Sequence, residues 1–200
     1  MMNKATHLAR QFRDDEQGSM AIELLLVVPI LLWVFLSTFV YFDVYRVETN
    51  SVRATITLAE MFSREGSVDN NYLNNAREVL RELTFEEANP DLRVTVYRQR
   101  ADGEFRTVWS RNRGMDGGNL TNAQINAIGQ SGRLPNMREF DHAIYIETRT
   151  EYDAPFNIGL GPFTVTNLED LTFTNDMVIR PRGPRLCFIT NASAELCGPG

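Results

Sequence analysis

One carboxylate in this chain lies where its charge needs a partner. Glu23 follows Gly18 by five residues and stands at the start of a long apolar segment. Residues 24–42 carry no charge, and only Ser37 and Thr38 among them are polar. A charged side chain costs about 2.5–3.5 kcal/mol at the centre of a bilayer and less near its edge. Glu23 therefore calls for a cation close by.

Cleavage of the chain after Gly18 would create such a cation. The product would begin at Ser19, whose new α-amino group is four residues before Glu23. Groups four residues apart meet on the surface of a helix. Gly18, Ser19 and Glu23 are therefore candidate residues for processing and assembly.

The element that positions them is a predicted transmembrane helix over residues 19–42. The 19 uncharged residues from 24 to 42 would span about 28 Å, close to the thickness of a bilayer core. Pro29 lies inside the helix and should bend it or open one hydrogen bond. A secretory signal peptide is the competing interpretation, but its apolar region should be shorter and end at small residues. Lys4, Arg10 and Arg13 precede the helix and predict a cytoplasmic N-terminus.

The chain divides into four predicted parts: a cytoplasmic leader (1–18), the transmembrane helix (19–42), an exported domain (43–186) and a C-terminal tail (187–200). The predicted fold class is α+β. The N-terminal helix continues as an amphipathic helix to about residue 64 and packs, with the other helices, on one face of an antiparallel sheet of about four strands. The predicted apolar stripe of this extension consists of Val44, Val47, Val52, Ile56, Ala59 and Phe62.

Further elements follow from local patterns. A second helix is predicted over 71–87, then a hairpin with strands 92–98 and 105–109 that turns at Asp102-Gly103. Thr121 should cap a short helix through residue 128, and strands are predicted over 143–152 and 171–179. Residues 111–119 are predicted to be loop. The tail after residue 181 is predicted to be irregular except where cysteines tie it.

The two cysteines, Cys187 and Cys197, are ten residues apart. An even number of cysteines in an exported chain favours a disulfide. Two unpaired thiols are the alternative, and a metal site is disfavoured because no histidine is near in sequence.

No enzymatic, cofactor, metal or nucleic-acid chemistry is predicted. The net charge is −6 and no basic stripe follows the apolar segment, which argues against a nucleic-acid partner. His142 is the one histidine of the exported part, and it follows Asp141 at the start of a strand, where neighbours point to opposite faces.

Asp116–Asn119 fits a flexible loop better than a calcium loop. The basic segment 180–185 fits a solvated linker better than a contact for an acidic partner.

The N-terminal segment resembles the type IV pilin-like proteins, and within them the TadE-like (TadE/TadG-like) minor pseudopilins of the tight-adherence, or Flp, pilus system. The residues that carry this resemblance are Gly18-Ser-Met-Ala-Ile-Glu23, the apolar helix with Pro29, and the amphipathic extension from Arg53 to Phe62. The length of 200 residues agrees, whereas major Flp pilins usually have an aromatic residue where this chain has Leu24.

The resemblance implies a single-pass protein of the bacterial inner membrane with its C-terminal domain in the periplasm or on a pilus. A prepilin peptidase would cleave after Gly18, and Glu23 would pair with the α-amine of a neighbouring subunit. Its partners would be other pilin-like subunits and the pilus assembly machinery. Two other classes stay open: an uncleaved, signal-anchored binding module, and, less favoured, an exported enzyme.

Overall fold

A single long helix organises the chain in a computed structural model, which describes residues 17–85, 89–139, 141–153, 170–183, 185–191 and 194–197. The helix, α1, continues through Pro29 without interruption. The prediction of one continuous helix is therefore confirmed. Most of the predicted leader lies outside the described residues. In chain order the elements are α1 Gln17–Arg64, β1 Ser67–Val68, α2 Asn70–Thr84, β2 Asp91–Gln99, β3 Phe105–Arg113, α3 Asn122–Gln130, β4 His142–Asp153, β5 Asp170–Ile179, β6 Cys187–Asn191 and β7 Ala194–Leu196.

The larger sheet is antiparallel, with the strand order β3-β2-β4-β5. The predicted hairpin is confirmed: Gly103 has φ +82°, and its N–H donates to the carbonyl of Arg100 at 2.9 Å. A left-handed residue of this kind suits glycine, which has no Cβ to clash. Strand β3 extends to Arg113, so the prediction of loop at residues 111–113 is wrong. The α+β class and the four antiparallel strands are thus as the sequence predicts.

Helices cover both faces of this sheet, and the prediction that all helices share one face is wrong. Leu58 and Phe62 of α1 pack with Leu80 of α2 on one face. Ile125 of α3 packs on the other face, in a second apolar cluster that includes Tyr97, Phe105, Leu120, Leu134, Ala143 and Tyr145. The cause is that β2 and β4 carry apolar residues on both faces, so each face requires a cover.

Helix α2 is shorter at its C-terminus than the predicted range 71–87. It begins with Asp69 as its N-cap, whose carboxylate accepts from the Tyr72 N–H at 2.7 Å. It ends at Thr84 because Phe85 takes the left-handed conformation with φ 58°. Residues 86–88 are outside the described part of the chain.

The C-terminal segment forms a second, small sheet between Cys187 and Cys197, the part that the prediction of an irregular tail excepted. The described residues of 181–186 form neither helix nor strand, as predicted. β6 pairs in parallel with β1, through Ser67↔Cys187 and Val68↔Phe188, and antiparallel with β7. A disulfide joins Cys187 to Cys197. Phe188 is fully buried in the main core, where the Arg111 guanidinium lies over its ring. The segment after α1 and the end of the chain are thereby held together.

Candidate functional site

The three candidate processing and assembly residues lie on the first turns of α1 as described. The backbone of Gly18 and Ser19 is helical, and Ser19 precedes Glu23 by one helical turn. The Glu23 side chain is exposed. It makes no ion pair or hydrogen bond with any other described residue. Ser19 and Glu23 therefore have the spacing that pairing requires, and no described residue occupies the carboxylate.

Apolar side chains surround α1 on every side after Glu23. Each residue from 24 to 36 is exposed, and the large ones include Leu24, Leu25, Leu26, Ile30, Leu31, Leu32, Trp33, Phe35 and Leu36. A helix that is apolar all round requires lipid or other helices around it. α1 is long and apolar enough to cross a membrane. The prediction of a helix that could anchor the chain in a membrane is therefore confirmed as one candidate span.

The exposed stretch of α1 ends at Val40, inside the predicted membrane range. Val40 is fully buried, although its neighbours Phe39 and Tyr41 are exposed. One turn further on, the Tyr152 hydroxyl donates to an Asp43 carboxylate oxygen at 3.0 Å. The uncovered stretch is therefore residues 20–39, about 30 Å of helix, which matches a bilayer core. Glu23 would lie about 4.5 Å inside its N-terminal end.

Buried hydroxyl groups join α1 to the sheet above this level. The hydroxyls of Ser51 and Thr150 are 2.9 Å apart, and those of Thr55 and Thr148 are 2.6 Å apart. The Asn175 amide also donates to the Ser51 hydroxyl at 2.7 Å. These pairs satisfy polar groups that would otherwise be costly to bury. They also fix the direction of β4, which runs antiparallel to α1.

The buried face of the α1 extension differs from the predicted stripe. Val52 and Ile56, which the sequence analysis placed on it, are about two-fifths exposed (41% and 42%). Ala59 and Phe62 of the predicted stripe are buried, together with Ser51, Ala54, Thr55, Leu58 and Ser63, which the stripe did not include. Hydropathy alone missed the hydroxyl residues. The signal that could have found them is their spacing of four on α1, opposite two threonines spaced by two on β4.

The basic segment 180–185 is exposed at Arg180 and Arg182, as expected of a solvated linker, and both arginines also contact the rest of the chain. The Arg182 N–H donates to the Ser63 carbonyl at 2.7 Å, and its guanidinium donates to Glu60 at 2.6 Å. Arg180 lies 3.6 Å from Asp141. This segment therefore contacts the C-terminal end of α1.

Residues 116–119 form a loop, as predicted, and two arginines of the sheet contact it. Arg93, which pairs with Glu147 through two hydrogen bonds of 2.6 and 2.9 Å, also donates to the carbonyls of Asp116 and Gly118. Arg149 donates to the Asp116 carboxylate at 2.6 Å. That hydrogen bond lowers the pKa of Asp116. The carboxylate that a calcium ion would need is thus engaged by an arginine.

Other titratable groups belong to the core or its edge. Burial raises the pKa of Tyr97 and of Tyr145. Burial, followed by the charges of Arg111 and Arg77, lowers the pKa of Arg113. His142 is the first residue of β4 and is half-buried. Within the described ranges, no three His, Cys, Asp or Glu side chains are grouped so that they could hold a metal ion.

Comparisons with known proteins found no match: no family model, no curated protein and no solved structure matches this chain.

Proposed function

We propose that this chain is a membrane-anchored minor pseudopilin that takes part in assembly of a tight-adherence (Flp-type) pilus after a prepilin peptidase cleaves it behind Gly18. The observation that carries the proposal is the surface of α1 between Glu23 and Val40. It is apolar on all sides, and Glu23 is its one charged residue. Such a helix is stable in lipid and can transfer into a bundle of similar helices.

Within this proposal each candidate residue has one task. Gly18, without a side chain, gives the peptidase close access to the scissile bond. Ser19 supplies the new α-amine, and Glu23 pairs with that amine on its own chain or on a neighbouring subunit. Residues 24–39 supply the packing surface. The N-terminus lies in the cytoplasm, and the α+β domain lies in the periplasm or on the outside of the pilus.

The domain supports this role by its attachment to the helix. Contacts at Asp43, Ser51, Thr55 and Glu60 fix it along one side of α1. The helix and the domain are therefore positioned as one unit when the helix changes its surroundings. A subunit of a helical assembly requires such a fixed relation.

The test is mapping of the N-terminus in cells that assemble pili. We expect the membrane-extracted chain to have lost residues 1–18 and to begin at Ser19, as measured by intact-mass spectrometry. Lys4 is the only lysine, so an amine-reactive reagent should label the product on its α-amine alone. The matched controls are the Gly18→Val variant and cells without the peptidase, in which the chain should stay intact. An intact N-terminus in piliated wild-type cells would contradict the proposal and favour the uncleaved binding module.

A further inference from the structure

We propose that the exposed side of α1 at residues 41–46 is a contact surface for phospholipid headgroups and sets the depth of the chain in the bilayer. This interfacial patch consists of Tyr41, Phe42, Tyr45 and Arg46. The inference requires that α1 crosses a membrane. It is independent of cleavage and of pilus assembly, because it concerns the isolated chain in lipid.

The three aromatic side chains of the patch form one exposed cluster. Tyr41, Phe42 and Tyr45 are 58%, 66% and 56% exposed. The ring centroids of Tyr41 and Phe42 are 6.0 Å apart, and those of Tyr41 and Tyr45 are 5.7 Å apart. At about 100° per residue, all three lie on the side of the helix opposite the buried Val40. The cluster therefore faces away from the sheet.

The height of the cluster places it at the edge of the bilayer core. The uncovered helix of residues 20–39 already fills about 30 Å of hydrocarbon. The next turn carries the three aromatic rings on one side and Asp43, bonded to Tyr152, on the other. Tyrosine is enriched at membrane interfaces because its ring prefers an apolar surrounding and its hydroxyl prefers a polar one.

Arg46 adds a group suited to phosphate. It lies one turn beyond Phe42, is exposed, and forms no ion pair with another described residue. Its stem can lie along the apolar surface while its guanidinium reaches the polar layer. A guanidinium donates two parallel hydrogen bonds to a phosphate. The patch thus combines an aromatic layer with a cation directly above it.

Charge favours lipid over a second copy of the chain as the occupant. Copies anchored in one membrane are parallel, so a two-fold contact through this patch would bring the Arg46 side chains of both copies together. Like charges opposed in this way are unfavourable. Phospholipid headgroups instead offer phosphate groups at this height.

The test is photo-crosslinking of the full chain in vesicles of phosphatidylethanolamine and phosphatidylglycerol. We expect the Tyr45→p-benzoylphenylalanine variant to gain the mass of one phospholipid on irradiation. The matched control is Ile56→p-benzoylphenylalanine, which is exposed on the same side of α1 but about 16 Å further along the helix. It should give little lipid adduct. A crosslinked dimer from position 45, or equal lipid yields from positions 45 and 56, would overturn the proposal.

A second arm tests the arginine. In the Tyr45→p-benzoylphenylalanine background, Arg46→Gln should lower the lipid adduct about threefold, the effect of losing an exposed charged contact. Arg53→Gln is the control, since Arg53 is exposed on the same side two turns higher. Equal yields from both variants would remove Arg46 from the contact surface.

Discussion

Glu23 is the residue at which anchoring and assembly can be separated. Its carboxylate adds nothing to the apolar surface that would hold α1 in lipid, and a neutral residue there would insert more easily. Within the proposed function, its value comes only from pairing with the α-amine of Ser19 or of a neighbouring chain. Substitution at this position should therefore affect one property and spare the other.

We expect Glu23→Ala to leave the chain in the membrane fraction and to reduce pilus assembly at least tenfold. Removing one partner of a desolvated ion pair costs about 3–5 kcal/mol, which is more than enough for that loss. Immunoblots of membrane fractions and the yield of sheared pili measure the two effects. Glu48→Ala is the matched control, because Glu48 is exposed on α1 above the membrane level. Normal pilus yield from Glu23→Ala would remove the proposed role of the charge.

At the scale of elements, buried hydroxyl pairs join α1 to β4 beside the apolar cluster that the two elements share. Thr55 donates to the Ser51 carbonyl at 2.9 Å in addition to its contact with Thr148. Both threonines are buried. A buried hydroxyl that loses its partner costs about 1–3 kcal/mol, whereas replacing both partners by apolar groups of similar shape can be nearly neutral.

We therefore predict that Thr55→Val lowers the free energy of unfolding by about 1–3 kcal/mol and that adding Thr148→Val restores most of it. Urea unfolding of the full chain in detergent, followed by circular dichroism, measures both. Thr57→Val is the control: Thr57 is exposed and its hydroxyl donates to the Arg53 carbonyl within the same helix, so its substitution should change stability by less than about 0.5 kcal/mol. Additive losses in the double variant would show that the two hydroxyls do not act as a pair.

The elements that the sequence predicts correctly are those with local signals. The turn at Gly103 and the cap at Thr121, where Gln124 completes the reciprocal capping pattern, each depend on a few adjacent residues. The apolar run of α1 is equally local. These features, with the spacing of Ser19 and Glu23, are visible in the chain without any knowledge of its tertiary contacts.

The features that the sequence analysis missed depend on residues distant in the chain. β1 has two residues, and it is a strand because it pairs with β6, whose paired residues come 120 positions later in the sequence. Val52 is apolar yet exposed, because the sheet meets α1 through Ser51 and Thr55. Phe85 ends α2 although glycine is the usual residue in that conformation. Tertiary contacts decide each of these, and local propensity does not report them.

At the scale of the whole molecule, the disulfide and the small sheet connect the end of the chain to the turn that follows α1. The Cys187 N–H donates to the Gly66 carbonyl at 3.0 Å, and Leu186 accepts from the Trp109 ring N–H at 2.9 Å. The C-terminal strands thus complete the core that α1 and the larger sheet begin.

We expect the double variant Cys187→Ala/Cys197→Ala to lose about 2.5 kcal/mol of unfolding free energy, the loop-closure contribution of a disulfide of this short span. Chemical unfolding of the full chain in detergent measures the change. Wild type under reducing conditions is the control and should match the variant. If oxidised wild type and the variant unfold at the same denaturant concentration, the disulfide adds no stability.

The antiparallel course of β4 beside α1 also has a mechanical consequence. Hydrogen bonds to the rest of the chain occur at successive positions along α1, at Asp43, Ser51, Thr55 and Ser63. Tension along the helix would load all of these bonds in shear. Bonds placed in this way bear a load together, whereas bonds peeled from one end fail one after another. The domain would therefore travel with its helix when the helix is drawn out of the bilayer.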